Sequence, residues 1–454
     1  MDKRILIVGK GTAGRALADD IRYRGGSLAG FVDDQLTDDD VLGTLDDIGA
    51  VVRAHDVSLV YFAIPSAGGK LLRDVINRLD LDTVEFAMIP RTYDVLSRET
   101  VHIDDLTDVD VLDLVGREPV KQDVVSSRAF VSGKKVLVTG AAGSIGSRLV
   151  RLLTTLGASV AAVDWWENGI FFLRQELDQG DGRLSFHIAD VKNERLMREI
   201  MQEEQPEIVF HAAAYKHVPL MQENPREAVN NNVWGSVNMM QLARDAGVAN
   251  FVYVSTDKAV NPVNVMGATK RLGELMLRSF AEAGGTRFNA VRFGNVIESN
   301  GSVMQIFRSQ ISRKQPLTVT HPDVTRFFMT IDEASQLIVQ SSLAGHPGDI
   351  FVLDMGEPVR ILDLAHSLVK AVDPSLEIEI VGLRPGEKMY EELSYGPEEV
   401  ERTDNSKIFI VRDAADADDA EVAAIRSLMT RSLAYEVGAD EVVSELRSMG
   451  FSLQ

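Results

Sequence analysis

A hydroxyl, a carboxylate and an amine stand side by side in Thr256-Asp257-Lys258, and a second amine follows at Lys270. Before them, the apolar run 251–254 predicts a buried strand; after them, the periodic segment 272–280 predicts a helix. Open α/β sheets hold ligands beyond the C-terminal ends of their strands. A proton donor, a base and a cation therefore converge at one strand end. Helical residues four apart share a face, which pairs Met266 with Lys270. Lys270 is positioned to hold a nicotinamide ribose and to supply positive potential. Met266 stands where a tyrosine base would stand, and a thioether exchanges no proton. The acid–base work falls to Asp257 and Lys258, with Thr256 donating to a substrate hydroxyl or a developing oxyanion. The bland alternative has Asp257 and Lys258 capping a helix and pairing with other groups.

The elements around this stretch argue against the bland alternative. The predicted strand 135–139 runs into Gly140-Ala141-Ala142-Gly143-Ser144-Ile145-Gly146. That glycine spacing suits a phosphate-binding turn, in which backbone N–H groups and a helix N-terminus meet a pyrophosphate. The strand 159–163 ends at Asp164, an acceptor for the adenosine ribose that would repel a 2′-phosphate and so favours NAD over NADP. Strand 186–191 brings Asp190 and Val191 toward the adenine, and strand 208–210 leads to His211 and to Ala212, Ala213 and Ala214. The small residues permit close approach of a cofactor; His211 is open to a structural or a functional role. No histidine grouping has metal-ligand spacing, so no metal is expected. Lys216 and His217 follow on a loop at the same edge, as candidate substrate contacts. Asn230, Asn231 and Asn232 need partners inside a helix, and Asn232 is the preferred brace for the strand that carries Ser255. Beyond strand 288–293, Asn295 can bind phosphate or sugar. Arg326 and Arg384 carry the planar fork that suits a diphosphate, and Glu387 clamps a ribose or orients Arg384.

Earlier in the chain, strand 5–8 enters Gly9-Lys10-Gly11-Thr12-Ala13-Gly14, and strand 28–32 ends at Asp33. Gly9 for the turn, Gly11 for phosphate approach, Gly14 for helix packing and Asp33 for a ribose describe a possible second nucleotide site. Plain helix–strand packing explains the same glycines. The expected architecture is α/β, with two Rossmann-like parallel-sheet domains: 1–127, a nucleotide-binding-like domain, and 128–300, the NAD-binding catalytic domain. A smaller α/β substrate-binding region with a helical C-terminal part, 301–454, is interleaved with the second. Arg117, in the linker, is read as an interdomain salt-bridge residue or a ligand contact.

The totals narrow the function classes. A chain of 454 residues, 45% hydrophobic, is long for one core. It has no cysteine, which excludes disulfides and thiolate chemistry. A formal net charge of −21 disfavours nonspecific nucleic-acid binding. No stretch resembles a membrane span or a signal peptide, so a cytoplasmic location is expected, without an integral membrane segment. The acidic-apolar alternation near the C-terminus suits packing in a homo-oligomer.

Several of these motifs together resemble the extended short-chain dehydrogenase/reductases, and within them the nucleotide-sugar 4,6-dehydratases of capsule and glycan biosynthesis. They are 138–146, Lys216 to Met221, Ser255 to Arg271, Arg292 to Val296, His321 to Arg326 and Gly382 to Lys388. The long members of that family usually begin with transmembrane helices, so this chain resembles a variant without them. Methionine at position 266 matches the long form. The resemblance implies bound, recycled NAD and a UDP- or GDP-linked N-acetylhexosamine, UDP-N-acetylglucosamine foremost, with retention at C5. It also implies oxidation at C4, loss of water across C5–C6 and hydride return to C6. Lys258 removes the C5 proton, in a neutral form favoured by burial and nearby positive charge, and Asp257 protonates the departing hydroxyl. Glu298 and Asn300 depart from the family pattern, where glycine and arginine are usual. The competing expectations are an inverting dehydratase, a nucleotide-sugar epimerase and a nonenzymatic nucleotide sensor.

Overall fold

The computed structural model describes residues 3–81, 83–90, 103, 106–107, 113–114, 124–178, 180, 182–297, 299–394, 399–412 and 417–454. Arg117 and Glu298 lie outside the described residues. The chain divides into two compact units. The first takes in Met1–Pro119 together with Val303–Asp323 and Val359–Val381; the second is Val120–Ser302, Val324–Pro358 and Gly382–Gln454. Two segments beyond residue 300 thus group with the N-terminal part, where the sequence reading kept the whole of 301–454 with the catalytic domain.

In the first unit, β1 (Arg4–Val8), β2 (Ser27–Val32), β3 (Val41–Gly43), β4 (Leu59–Phe62) and β5 (Glu85–Met88) form a parallel sheet, ordered β3-β2-β1-β4-β5. The runs at β1 and β4 are almost wholly apolar because both faces of a parallel sheet are covered. The turn after β1 is tight: Gly9 has φ +91°, and a Cβ on Gly14 would lie 2.0 Å from the Gly9 carbonyl oxygen. Asp33 is engaged within this turn. Its carboxylate accepts from the backbone N–H groups of Lys10, Gln35 and Leu36. Burial opposes ionisation, but these bonds outweigh it and hold the carboxyl below its usual range. The Lys10 amine pairs with Asp38 and Asp40. Gly11 leaves open space around its backbone.

The second unit is built on a nine-stranded sheet. Its parallel part comprises β6 (Lys135–Thr139), β7 (Ser159–Asp164), β8 (Leu184–Ile188), β9 (Ile208–His211), β10 (Asn250–Val254), β11 (Arg287–Arg292) and the strand Ile350–Leu353. An antiparallel pair, Ile408–Arg412 and Glu399–Arg402, extends it. From one edge the order runs β8-β7-β6-β9-β10-β11, then Ile350–Leu353, Ile408–Arg412 and Glu399–Arg402. Chain direction across the sheet reverses between β6 and β9, the switch point at which doubly wound sheets open a crevice. Apolar layers cover both faces. The two parallel Rossmann-like sheets expected from the sequence are therefore present.

One buried carboxylate ties the elements around β10 together. Glu274, on the helix Val265–Glu282, is fully buried. It accepts from Arg292 at the end of β11 through two bonds, 2.8 and 2.9 Å. It also accepts from Arg271 at 3.1 Å and from the Ser255 hydroxyl at 2.7 Å. Burial would raise its pKa, yet the charges of Arg292 and Arg271 and the hydrogen bonds prevail and hold it at about 2. Glu274→Gln leaves Arg292 buried without its counter-charge and is expected to cost roughly 3–5 kcal/mol in urea unfolding. The folded carboxyl lies below its ordinary value of 4.5, so its stabilising effect is complete above about 4.5 and disappears as pH falls toward about 2. The gap between wild type and variant should close over that window; a gap independent of pH there would refute the ion-pair account.

Candidate active site

The C-terminal ends of β6, β7, β9, β10 and β11 deliver the predicted residues to one edge. Gly140 follows β6 with φ +67°, and a Cβ there would lie 2.6 Å from the Ala213 nitrogen. A Cβ on Gly146 would lie 1.9 Å from the Gly140 carbonyl oxygen. Only glycine lets the helix Ser144–Thr155 start this close to the strand, with Gly143 before it and Ser144 and Ile145 in its first turn. Asp164, ending β7, accepts from the N–H groups of Ala142 at 3.0 Å and Trp166 at 2.9 Å. Burial raises its carboxyl against those bonds. Asp190 accepts from the Lys192 N–H at 2.9 Å. Val191 is buried, and its carbonyl accepts from Asn238. Ala212 donates to the Thr139 carbonyl, and Ala214 is half-buried beside it in the loop after β9.

His211 is a structural residue. Ser236 Oγ donates to the Asn232 carbonyl, so it accepts from His211 Nε2 at 3.0 Å, while Thr139 Oγ1 donates to Nδ1 at 2.7 Å. Burial, and then the Lys270 charge, push the imidazole down to about 3, and it is neutral. Asn232 corrects an expectation. Its amide clamps the loop after β9, accepting from the Tyr215 N–H at 2.8 Å and donating to the Tyr215 carbonyl at 3.0 Å. It donates also to Thr269 Oγ1, beside Lys270. It braces the Tyr215 loop rather than the Ser255 strand. The three asparagines occupy a π-helical turn, Val229–Trp234, a form common at functional sites.

The organising stretch folds as a strand end, a short 3₁₀ turn (Asp257–Ala259) and the helix Val265–Glu282. Asn264 caps that helix, accepting from the Gly267 N–H at 2.8 Å. Lys270 is buried, donates to the Val254 carbonyl at 2.7 Å and lies 3.8 Å from the Tyr253 ring centre. Burial brings its amine down to about 7. Met266 packs into the apolar core and is 3% exposed. Thr256 Oγ1 donates to Asp257 Oδ1 at 2.9 Å. Lys258 Nζ donates to the same oxygen at 3.0 Å and to Asn295 Oδ1 at 3.0 Å. Glu391, which the sequence reading passed over, completes the set: its Oε1 lies 3.6 Å from Lys258 Nζ. Burial would lower the Lys258 amine, but Asp257 and Glu391 prevail and hold it above its ordinary value. The surroundings therefore favour the ammonium, not the neutral amine, because carboxylates rather than cations are its close neighbours.

Arg326 donates to Glu387 at 2.9 Å and to the Thr325 carbonyl at 2.7 Å. Glu387 orients Arg326, and it also accepts from the Arg384 backbone N–H at 3.2 Å. Arg384 is exposed and lines a cavity of about 630 Å³ with Glu387, Lys388 and Tyr390. Lys216 and His217 are exposed at the rim, and Gly301 packs against the His217 ring. The Asn300 N–H donates to Ser144 Oγ at 3.0 Å, holding this loop over the glycine turn. Among the described residues no acidic, histidine or cysteine group could hold a metal, and no helix is long and apolar enough to cross a membrane.

Strand order, glycine turn and buried lysine define a short-chain dehydrogenase/reductase type of dinucleotide fold. Residues 136–413 match the family described as "Polysaccharide biosynthesis protein", and the chain belongs to it. The capsular polysaccharide biosynthesis protein CapD of Staphylococcus aureus is 44% identical over 361 residues, covering 78% of this chain and 60% of that protein. The probable polysaccharide biosynthesis protein EpsC of Bacillus subtilis is 40% identical over 407 residues, covering 86% of this chain and 68% of that protein. This chain thus spans 60% of the length of CapD. Among solved structures, Pen from Bacillus thuringiensis superposes with a TM-score of 0.60 at 31% identity, over 67% of this chain and 99% of that one. A double mutant of DesIV from Streptomyces venezuelae, a dTDP-glucose 4,6-dehydratase with NAD and DAU bound, shares the fold at 21% identity, TM-score 0.53, over 66% of this chain and 98% of that one.

Replacing Asn232 by alanine strands the Tyr215 N–H and carbonyl. The expected loss is about 2 kcal/mol of unfolding free energy; a loss within error of zero by urea titration would show that the clamp does not hold the loop.

Proposed function

We propose that this chain is an NAD-dependent nucleotide-sugar 4,6-dehydratase that converts UDP-N-acetylglucosamine to the 4-keto-6-deoxy sugar with retention at C5. The observation that carries the reading is the Thr256–Asp257–Lys258 chain of hydrogen bonds beside buried Lys270, with an inert, buried Met266 at the tyrosine position. The glycine cradle at Gly140 and Gly146 fits a dinucleotide pyrophosphate, since any Cβ would fill it. Asp164 has acceptor capacity left for a ribose, and Lys270 would meet the nicotinamide ribose. NAD, when bound, supplies the acceptor for the C4 hydride and its return to C6.

The side chains divide the proton work. Thr256 takes the C4 hydroxyl proton and passes its own to Asp257 along the existing 2.9 Å bond. Asp257, so protonated, gives that proton to the departing C6 hydroxyl, which leaves as water. Lys258 removes the C5 proton and later delivers one of its three exchangeable ammonium protons to the same face, which yields retention. Arg326, held by Glu387, and Arg384 suit the diphosphate, with Lys216 and His217 at the rim. A second reading, 4-epimerisation, is supported by relatives named UDP-glucose 4-epimerase, such as that of Rickettsia conorii, 36% identical over 60% of this chain.

Purified protein given UDP-N-acetylglucosamine without added NAD should yield a product lighter by one water, carrying solvent deuterium at C5 when the reaction runs in D₂O. Lys258→Met and Asp257→Asn should each lower turnover by about 10²–10⁴-fold. Full turnover by both variants would sink the assignment of roles, and a product of unchanged mass with inverted C4 would favour epimerisation.

A further inference from the structure

A lysine that removes a proton must first lose one. Lys258 faces two carboxylates and an amide oxygen, and it carries three ammonium protons. Two of them go to Asp257 Oδ1 and Asn295 Oδ1, each at 3.0 Å. The remaining acceptor in reach is Glu391 Oε1, at 3.6 Å. The Glu391 side chain is 4% exposed, and its second oxygen, Oε2, is buried without a hydrogen-bond partner. A buried carboxylate with an empty oxygen is costly and is relieved by taking up a proton.

We propose that Glu391 is a reversible proton store for Lys258, a positioning residue that sets when the lysine acts as a base; this rests on the dehydratase reading above. In the step before elimination, a Lys258 N–H bond breaks and a Glu391 O–H bond forms, leaving a neutral amine and a neutral acid. The amine takes the C5 proton. The C5–H electron pair becomes the C5–C6 double bond as the C6–O bond breaks with the proton from Asp257. Once the hydride has returned to C6, Lys258 gives its proton back to C5, and Glu391 returns the stored one to Lys258. The site ends as it began, with one ammonium and two carboxylates, and consumes no net proton, while exchange of the Lys258 ammonium protons with solvent is what carries deuterium to C5. The charged groups facing Glu391 are Lys258 and Asp257 after β10, Arg326, and Lys388 on its own segment. Burial raises its carboxyl above the usual range, Asp257 adds to that, and the three cations oppose it.

The test uses the purified holoenzyme with UDP-N-acetylglucosamine. Glutamine keeps the shape of Glu391 and stores no proton. Glu391→Gln should lower kcat by about 10²-fold with KM nearly unchanged. The transient NADH absorbance that reports C4 oxidation should survive, while deuterium entry at C5 in D₂O slows in step with kcat. Its residual turnover should rise with pH, since Lys258 must then lose its proton to solvent, whereas the wild-type profile stays flat across neutral pH. Glu391→Asp, which can still store a proton, should keep the flat profile at reduced kcat. Wild-type C5 exchange in Glu391→Gln, or a sloped profile in Glu391→Asp, overturns the inference. A wild-type enzyme that makes no 4-keto-6-deoxy sugar overturns the proposed function itself; product formation with an unaffected Glu391→Gln overturns only the proton store.

Discussion

The candidate site at the edge of the second unit's sheet depends on the buried Glu274 carboxylate. It joins the end of β10 through Ser255, the helix Val265–Glu282 through Arg271, and the end of β11 through Arg292. These same elements carry Thr256, Lys270 and Asn295. A carboxylate out of water is tolerated only with charge and hydrogen bonds close at hand, and here both arginines and a hydroxyl meet it. The geometry is consequently stiff: the helix cannot slide along the strands without stranding a buried charge. Lys270 profits from this stiffness. Its amine is fixed between the Val254 carbonyl and the Tyr253 ring, at a depth that brings it to about 7.

The neighbouring charge balance runs the other way. Around Lys258 the protein gathers carboxylates, and the ammonium is favoured. The two lysines of one short stretch are therefore tuned in opposite directions by what surrounds them: burial prevails over the Glu274 charge at Lys270, and Asp257 with Glu391 prevails over burial at Lys258. Spacing in the sequence cannot reveal this. It shows that both amines reach one strand end, but not which charges come across the sheet to meet them.

Much of the fold was legible because its signals are local. Parallel strands buried on both faces read as continuous apolar runs, as at Ile5–Val8 and Val136–Val138. The glycine turn is legible from its spacing, and in the structure a Cβ on Gly146 would lie 1.9 Å from the Gly140 carbonyl oxygen, closer than any side chain permits. What remained hidden is non-local. Glu391 sits in an ordinary acidic pair with Glu392, and only folding brings it to Lys258. Asn232 announced a need for partners but not their identity, since Tyr215 and Thr269 become neighbours only once the π-helical turn forms. The strand Glu399–Arg402 has alternating charges and valine, a weak edge-strand pattern that passes for loop.

Asp33 and Asp164 show how far the glycine-turn argument reaches. Both end the second strand of a parallel sheet, and both accept from the backbone of the adjoining glycine turn. Asp33 accepts from the Lys10 N–H of that turn and from the Gln35 and Leu36 N–H groups of its own loop, which more than offset its burial and lower its carboxyl. Asp164 is more deeply set, and burial outweighs its bonds and raises the carboxyl. The same motif in two glycine turns thus leaves its two carboxylates in opposite electrostatic states, Asp33 lowered within the loop Asp33–Leu36 and Asp164 raised by its burial.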